Sequence, residues 1–186
     1  VAVFLFGVLP LMRKRQLSCL LVGDEYDTTV RLRHKGIPHY DGLYDQSIYF
    51  DHALSRYFMR KGWNISQFSV LRPLSELLIE KILVERYPDL QRQQTSCHAT
   101  HKAGERVYPC GQCEKCRRIV AMLKAIGADP VQCGYSPSRI QDCLEKLPHK
   151  RVSQEAAGAR HLFFLLAQKG LIDAKELLPK AIEEHP

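Results

Sequence analysis

The sequence has no glycine-rich phosphate loop. None of its eleven glycines are adjacent and no G-x-x-x-x-G-K-[ST] pattern occurs, so the backbone cradle that such loops form around a nucleotide's phosphates is missing from this chain. No block of five or six consecutive cations marks a nucleic-acid-binding tail. The apolar run at residues 1–12, VAVFLFGVLPLM, is broken by Gly7 and Pro10 and is too short for a transmembrane helix. Its cations, Arg13 to Arg15, follow it, whereas a secretory signal places them in front. No membrane partner is therefore expected. Internal repeats and low-complexity tracts are also lacking. No initiating Met is present, and the chain is expected to be cut from something longer.

What is present is a domain-sized chain of 186 residues, 45% hydrophobic and 25% charged, enough for a core and against bulk disorder. The formal net charge is +7, which suits a phosphate-rich partner but equally an ordinary solvated surface. Four of the seven cysteines fall in one stretch, Cys97, Cys110, Cys113 and Cys116, spaced C-x12-C-x2-C-x2-C. Two cysteines separated by two residues can face one centre across a tight turn, and Gly111 sits where that turn needs conformational freedom. Cys116 would then reach the centre from the first turn of a helix, and Cys97 would close a tetrahedron of soft ligands. This is the geometry of a structural Zn2+ site. Four thiolates around one divalent ion would lower the net charge to about +5, and His101, Lys102, Arg106, Lys115, Arg117 and Arg118 would help hold them deprotonated. Three competing readings stand beside it: His98 or His101 in place of Cys97, an iron–sulfur cluster, and ordinary buried cysteines. Clustering of this kind points to a reducing compartment, the cytoplasm, instead of a disulfide framework. Cys19, Cys133 and Cys143 read as packed thiols.

Taken in order, residues 1–15 predict a buried helix ending in a basic turn. LSCLLVG at 17–23 predicts a strand buried on both faces in a parallel sheet. The turn DEYDTT follows, placing Asp24, Glu25 and Asp27 where α/β sheets bind ligands. Residues 28–44 predict a long functional or mobile loop. A helix over 46–61, capped by Asp45, carries Phe50, Leu54, Tyr57 and Phe58 on one side and stops at Gly62. Residues 65–70 predict a second strand. A helix from Pro73 and Ser75 to Pro88 has Leu74, Leu77, Leu78, Ile82 and Leu83 on a core-facing stripe. The helix leaving the cysteine segment carries Ile119, Met122, Leu123 and Ile126 and stops at Gly127. Ser136-Pro137 opens another helix, with Ile140, Cys143, Leu144 and Leu147. Ser153 begins one that runs to Gly170, with Ala156, Phe163, Phe164 and Ala167 as its apolar side. Asp173 and Glu176 form a capping pair, and Pro179 breaks the last segment.

The fold class expected is α/β and helix-rich: a partial Rossmann-like parallel sheet of few strands, a four-cysteine zinc element and a helical C-terminal tail. The parts are 1–95, 96–127 and 128–186, packed as one compact unit. The apolar strand ending in an acidic turn, the segment S-x-L-R-P-L at 69–74, the Ser96-Cys97 pair and the C-G-x-C-x-x-C knuckle together resemble the C-terminal portion of the PP-loop ATP pyrophosphatases. The nearest subset is the zinc-bearing 7-cyano-7-deazaguanine synthase-like group, and the likeness covers residues 1 to about 135. It implies zinc on Cys97, Cys110, Cys113 and Cys116, with a longer gap between the first two than in the family. It implies substrate or Mg2+ contacts at Asp24 and Asp27, and phosphate contact at Arg72. The family uses ATP to adenylate an oxygen before an amine or sulfur displaces AMP, as in nucleoside modification. Its S-G-G-x-D-S loop is absent here, so ATP and Mg2+ are expected only if an upstream segment supplies that loop.

Two functions follow as expectations. One is the zinc-bearing part of an ATP-dependent ligase, amidotransferase or thiolating enzyme, with a small-molecule or nucleoside substrate. The other is a non-enzymatic zinc module that contacts RNA or a protein partner. Homo-oligomerisation is compatible with either. Spacing alone picks out no catalytic triad.

Overall fold

The computed structural model describes residues 2–40, 42–149, 152 and 156–173. They form a mixed α/β structure dominated by helix, dividing into two compact units at Glu76/Leu77. Residues 77–95 therefore group with the cysteine segment.

The first unit starts with α1 (Ala2–Lys14), which is followed by β1 (Cys19–Val22) and a hairpin of β2 (Arg31–His34) and β3 (Ile37–Tyr40). It ends with α2 (Ile48–Arg60) and β4 (Ser66–Ser69). β1 and β4 pair in parallel, Leu20 opposite Gln67 and Leu21 opposite Phe68. One face of this pair is covered: Leu20, Ile65, Leu54 and the fully buried Phe58 pack with Leu5, Leu9 and Met12 of α1. α1 stops because Gln16 turns left-handed at φ 55°, letting the Leu17 N–H reach back to the Met12 carbonyl at 2.9 Å. Arg13 and Lys14 in its last turn face the negative end of the helix dipole.

Several expectations are corrected here. β1 is covered on one face only: alternation turns Cys19 and Leu21 outward, with Leu21 58% exposed, so Cys19 is not a packed thiol. α1 is likewise buried along one stripe, with Val3, Phe4, Phe6 and Leu11 exposed. α2 is capped by Ser47, whose hydroxyl accepts from the Phe50 N–H at 3.2 Å. The Asp45 carboxylate instead accepts from the Ala2 N–H at 2.7 Å. Tyr57, expected on the apolar side of α2, is exposed. Residues 28–44 are not a structureless loop: Lys35 and Gly36, both at positive φ, make the tight turn joining β2 to β3.

The second unit holds most of α3 (Glu76–Arg86), the short α4 (Pro88–Gln91), a hairpin of β5 (His101–Ala103) and β6 (Arg106–Tyr108), α5 (Glu114–Ile126), α6 (Pro137–Lys146) and α7 (Ala156–Gln168). α5 is its axis. Val120, Met122 and Leu123 are fully buried and Ile119 nearly so, against Ile140, Cys143, Leu147, Leu162 and Leu166. Gly127 closes α5 at φ 81°, as its position predicts. Ser136 caps α6, accepting from the Arg139 N–H. On α3, Leu77 and Glu80 are the buried residues; of the expected leucine stripe Leu74, Ile82 and Leu83 are half-buried and Leu78 is exposed. α7 buries Leu162 and Leu166 and leaves Phe164 59% exposed, one helical position away from the predicted face. The expected helix start at Ser153, the partner Glu176 of the capping pair and Pro179 lie outside the described residues, as does the side chain of Ala156. Among the described residues no helix is long and apolar enough to cross a membrane.

Truncating Phe58 to Ala in the first unit removes a ring that is 0% exposed. We expect a loss of about 3–5 kcal/mol in denaturant unfolding, whereas Phe164→Ala on the exposed side of α7 should change stability by less than about 0.5 kcal/mol.

Candidate functional site

The four clustered cysteines come together as their spacing predicts. The β5–β6 hairpin spans the twelve residues between Cys97 and Cys110, returning the chain to its starting point. Gly111, at φ 66°, makes the turn that follows. Cys113 caps α5, its sulfur accepting from the Cys116 N–H at 3.4 Å. All four sulfurs lie within 4.8 Å of one another. The pairs Cys113–Cys116, Cys97–Cys113 and Cys110–Cys116 are 3.5, 3.6 and 3.8 Å apart. Four sulfurs placed tetrahedrally at about 2.3 Å from one ion are about 3.8 Å apart, so the donor set fits a single metal ion. His98 and His101 are not in the cluster: the His98 imidazole meets Lys115 Nζ at 2.7 Å, and His101 stacks on Tyr108 with ring centroids 5.8 Å apart.

The surroundings act on these thiols in opposite directions. Backbone N–H groups of Ala99 and Gln112 donate to Cys97 and Cys110 at 3.3 and 3.4 Å. Burial raises the Cys110 pKa, but N–H donation from Gln112 and Cys113 outweighs it and brings the thiol down to about 7. Burial pushes the Cys97 and Cys116 thiols up, and the buried Tyr135 hydroxyl bonded to Cys116 opposes the rise there. A divalent ion at the cluster would lower the proton affinity of these thiols and offset the cost of burying them charged.

Sequence reasoning missed the supports of this centre. The fully buried Cys143 donates to the Gly111 carbonyl at 3.4 Å, fixing the knuckle turn from α6. Arg117, 6% exposed, donates to the Gln112 carbonyl at 3.0 Å. Arg106 reaches the carbonyls of Arg92 and Gln132, both at 3.0 Å, and anchors the hairpin. Cys133 is a packed thiol as expected; burial, and then the Glu80 carboxylate, push it up to about 12. No sequence signal separated these roles from ordinary surface cations and core cysteines.

A second polar constellation lies at the carboxyl end of β1. Asp24, Asp27 and Asp51 are each 4% exposed. Arg72 bridges from the segment after β4: its two terminal nitrogens donate to Asp51 and Thr28 at 2.7 Å, to the Gln46 carbonyl at 2.8 Å, and to Asp24 and the Glu25 carbonyl at 3.5 Å. Gln67, facing inward from β4, donates to Asp51 at 2.7 Å. Asp27 accepts from the Glu76 N–H at 3.1 Å. Of the three residues expected on a substrate side, Asp24 and Arg72 thus meet, while Asp27 holds backbone. Burial, reinforced by Asp51 and opposed by Arg72, raises the Asp24 carboxyl from 3.8 to about 6. Two carboxylates share one guanidinium, and Asp24, at the longer distance, is the one left poorly compensated.

Comparison with protein families, with curated proteins and with solved structures finds no match for this chain.

Replacing Cys113 and Cys116 by Ser should abolish metal retention, measured as metal per chain by elemental analysis, and broaden the unfolding transition of the second unit. For Asp24 the folded state binds a proton more tightly than the unfolded chain, so stability present at low pH is lost as pH rises from about 4 to about 6. Asp24→Asn cannot ionise, and should gain about 1–3 kcal/mol on the parent chain between about pH 4 and pH 7 in denaturant unfolding.

Proposed function

We propose that the chain is the zinc-binding, substrate-side part of an ATP-dependent, adenylate-forming enzyme similar to the PP-loop ATP pyrophosphatases, and nearest the 7-cyano-7-deazaguanine synthase-like group. The observation that carries this reading is the parallel pair β1–β4, with the buried Asp24–Arg72 turn directly beyond the carboxyl end of β1. Ligands of open α/β sheets sit in that place, and a carboxyl raised toward neutrality by burial beside a charged partner is typical of working sites.

Sheet geometry adds support. A parallel sheet is normally covered on both faces and built of more than two strands, yet among the described residues β1 and β4 pair only with each other and expose Leu21 and Phe68 on one face. In this reading further strands complete a Rossmann-like sheet and bring the S-G-G-x-D-S loop that binds ATP and Mg2+. Asp24 would then face the nucleotide or its Mg2+. Arg72 would orient Asp24, and would reach a phosphate only by exchanging its Thr28 and Gln46 contacts.

The metal is read as zinc. Sulfur pairs at 3.5–3.8 Å leave room for one ion and crowd out a multi-iron cluster, and an all-thiolate tetrahedron suits Zn2+. Four protein ligands leave no open position, so the ion is structural and holds the knuckle on α5. The cytoplasm, where thiols stay reduced, suits such a centre.

The second reading is a non-enzymatic zinc module, favoured by the complete engagement of Arg72's terminal nitrogens inside the fold. The two are separated by the reading frame upstream of Val1. The enzyme reading expects a strand followed by S-G-G-x-D-S there, and pyrophosphate release from ATP by the longer product that falls at least ten-fold in Asp24→Asn. No such loop and no pyrophosphate release would leave the module.

A further inference from the structure

We infer that the β2–β3 hairpin and the tyrosine cleft beside it bind single-stranded nucleic acid. This site lies wholly in the first unit and depends on neither the metal nor the enzyme reading.

Its charge is one-sided. Residues 31–40, RLRHKGIPHY, contain Arg31, Arg33, His34, Lys35 and His39 and no acid. The three cations are exposed, and among the described residues none of them makes an ion pair. Of the described acids on the flanking turns, Asp27 accepts from the Glu76 N–H and Asp45 from the Ala2 N–H; Asp41 lies outside the described residues. The register places Arg31, Arg33, Pro38 and Tyr40 on one face of the hairpin. Alternate residues of a strand are about 6.7 Å apart, so the two arginines form a row that can follow a phosphate backbone.

That face opens onto a cleft of about 390 Å³, lined by Arg31, Pro38, His39, Tyr40, Tyr44 and Tyr49, within the range of small-ligand pockets. The rings have the features of a stacking platform. Tyr44 is 56% exposed and Tyr49 48% exposed, with ring centroids 5.9 Å apart. Tyr44 is nevertheless held from below: its carbonyl accepts from the Ser47 hydroxyl at 2.7 Å, and its ring meets Phe50 edge-on at 5.8 Å. Arg31 lies 5.3 Å over the Tyr40 ring and bonds its hydroxyl at 3.0 Å, so one guanidinium borders both the aromatic and the phosphate-facing side. Exposed rings on a fixed backbone, beside cations that make no ion pair among the described residues, are what strand-binding grooves combine: bases stack and phosphates are neutralised. A cation row that continues past the cleft to Arg33 and Lys35 favours a strand over a single nucleotide.

The test is fluorescence anisotropy of a labelled short oligoribonucleotide with the full chain, repeated across salt. Tyr44→Ala should weaken binding about ten-fold, and Tyr44→Phe, which keeps the ring, should stay within about two-fold. The double variant Arg31→Ala, Arg33→Ala should lower the slope of log K against log salt by about 1.4. Thermal melts of each variant confirm that the fold is retained. The inference is overturned by absence of salt-sensitive retention, by Tyr44→Phe binding as weakly as Tyr44→Ala, by equal competition from a mononucleotide, or by anionic lipid vesicles capturing the chain with the same dependence on these residues.

Discussion

The second unit depends on one constraint: four sulfurs must meet at the mouth of a helix that is otherwise its hydrophobic axis. α5 offers sulfur donors at its first turn and core along the rest. Cys113 caps it and Cys116, wholly buried, lies one turn in. Every neighbouring element serves that junction. The β5–β6 hairpin returns Cys97 to Cys110, Cys143 pins the Gly111 carbonyl, and Tyr135 bonds Cys116. Neutral thiols can pack at these distances, but four bare thiolates this close in a low-dielectric setting would repel one another strongly. A divalent cation would offset that repulsion, and would tie hairpin, knuckle and helix into one piece.

The first unit solves a different electrostatic problem with protein groups alone. Asp24, Asp51 and Arg72 are buried together, and Gln67, Thr28 and two main-chain carbonyls complete the network. The arrangement carries one carboxylate more than the guanidinium can neutralise, and burial, with Asp51 adding to it, raises the proton affinity of Asp24. A structure selected for stability alone has little reason to keep such an excess under cover. A site that must meet a cation or exchange a proton does, which is why this turn and the open β1–β4 pair are read together.

Much of this was legible in the residues and some was not. The Cys-x2-Cys-x2-Cys run, Gly127 as helix stop, Ser136 as cap and the α5 stripe of Ile119, Met122 and Leu123 each have one local physical explanation, and each is found in place. The failures are tertiary. Asp45 and Ser47 are both good caps, and only the backbone reaching in from Ala2 decides that Asp45 is used elsewhere. Leu21 and Phe164 are apolar, but which side of their elements is covered depends on neighbours distant in sequence. The hairpin at 31–40 was hidden because its turn puts Lys35, a residue without turn preference, at positive φ. The Asp24–Arg72 contact joins residues 48 apart in sequence, and spacing arguments do not reach that far.

The measurement that bears most directly on the central claim is X-ray absorption at the metal edge of protein purified without added metal. The account predicts zinc with four sulfur neighbours at about 2.3 Å and no nitrogen or oxygen in the first shell. An iron edge with short metal–metal distances, a mixed sulfur and nitrogen shell, or protein that folds cooperatively with no bound metal would contradict it.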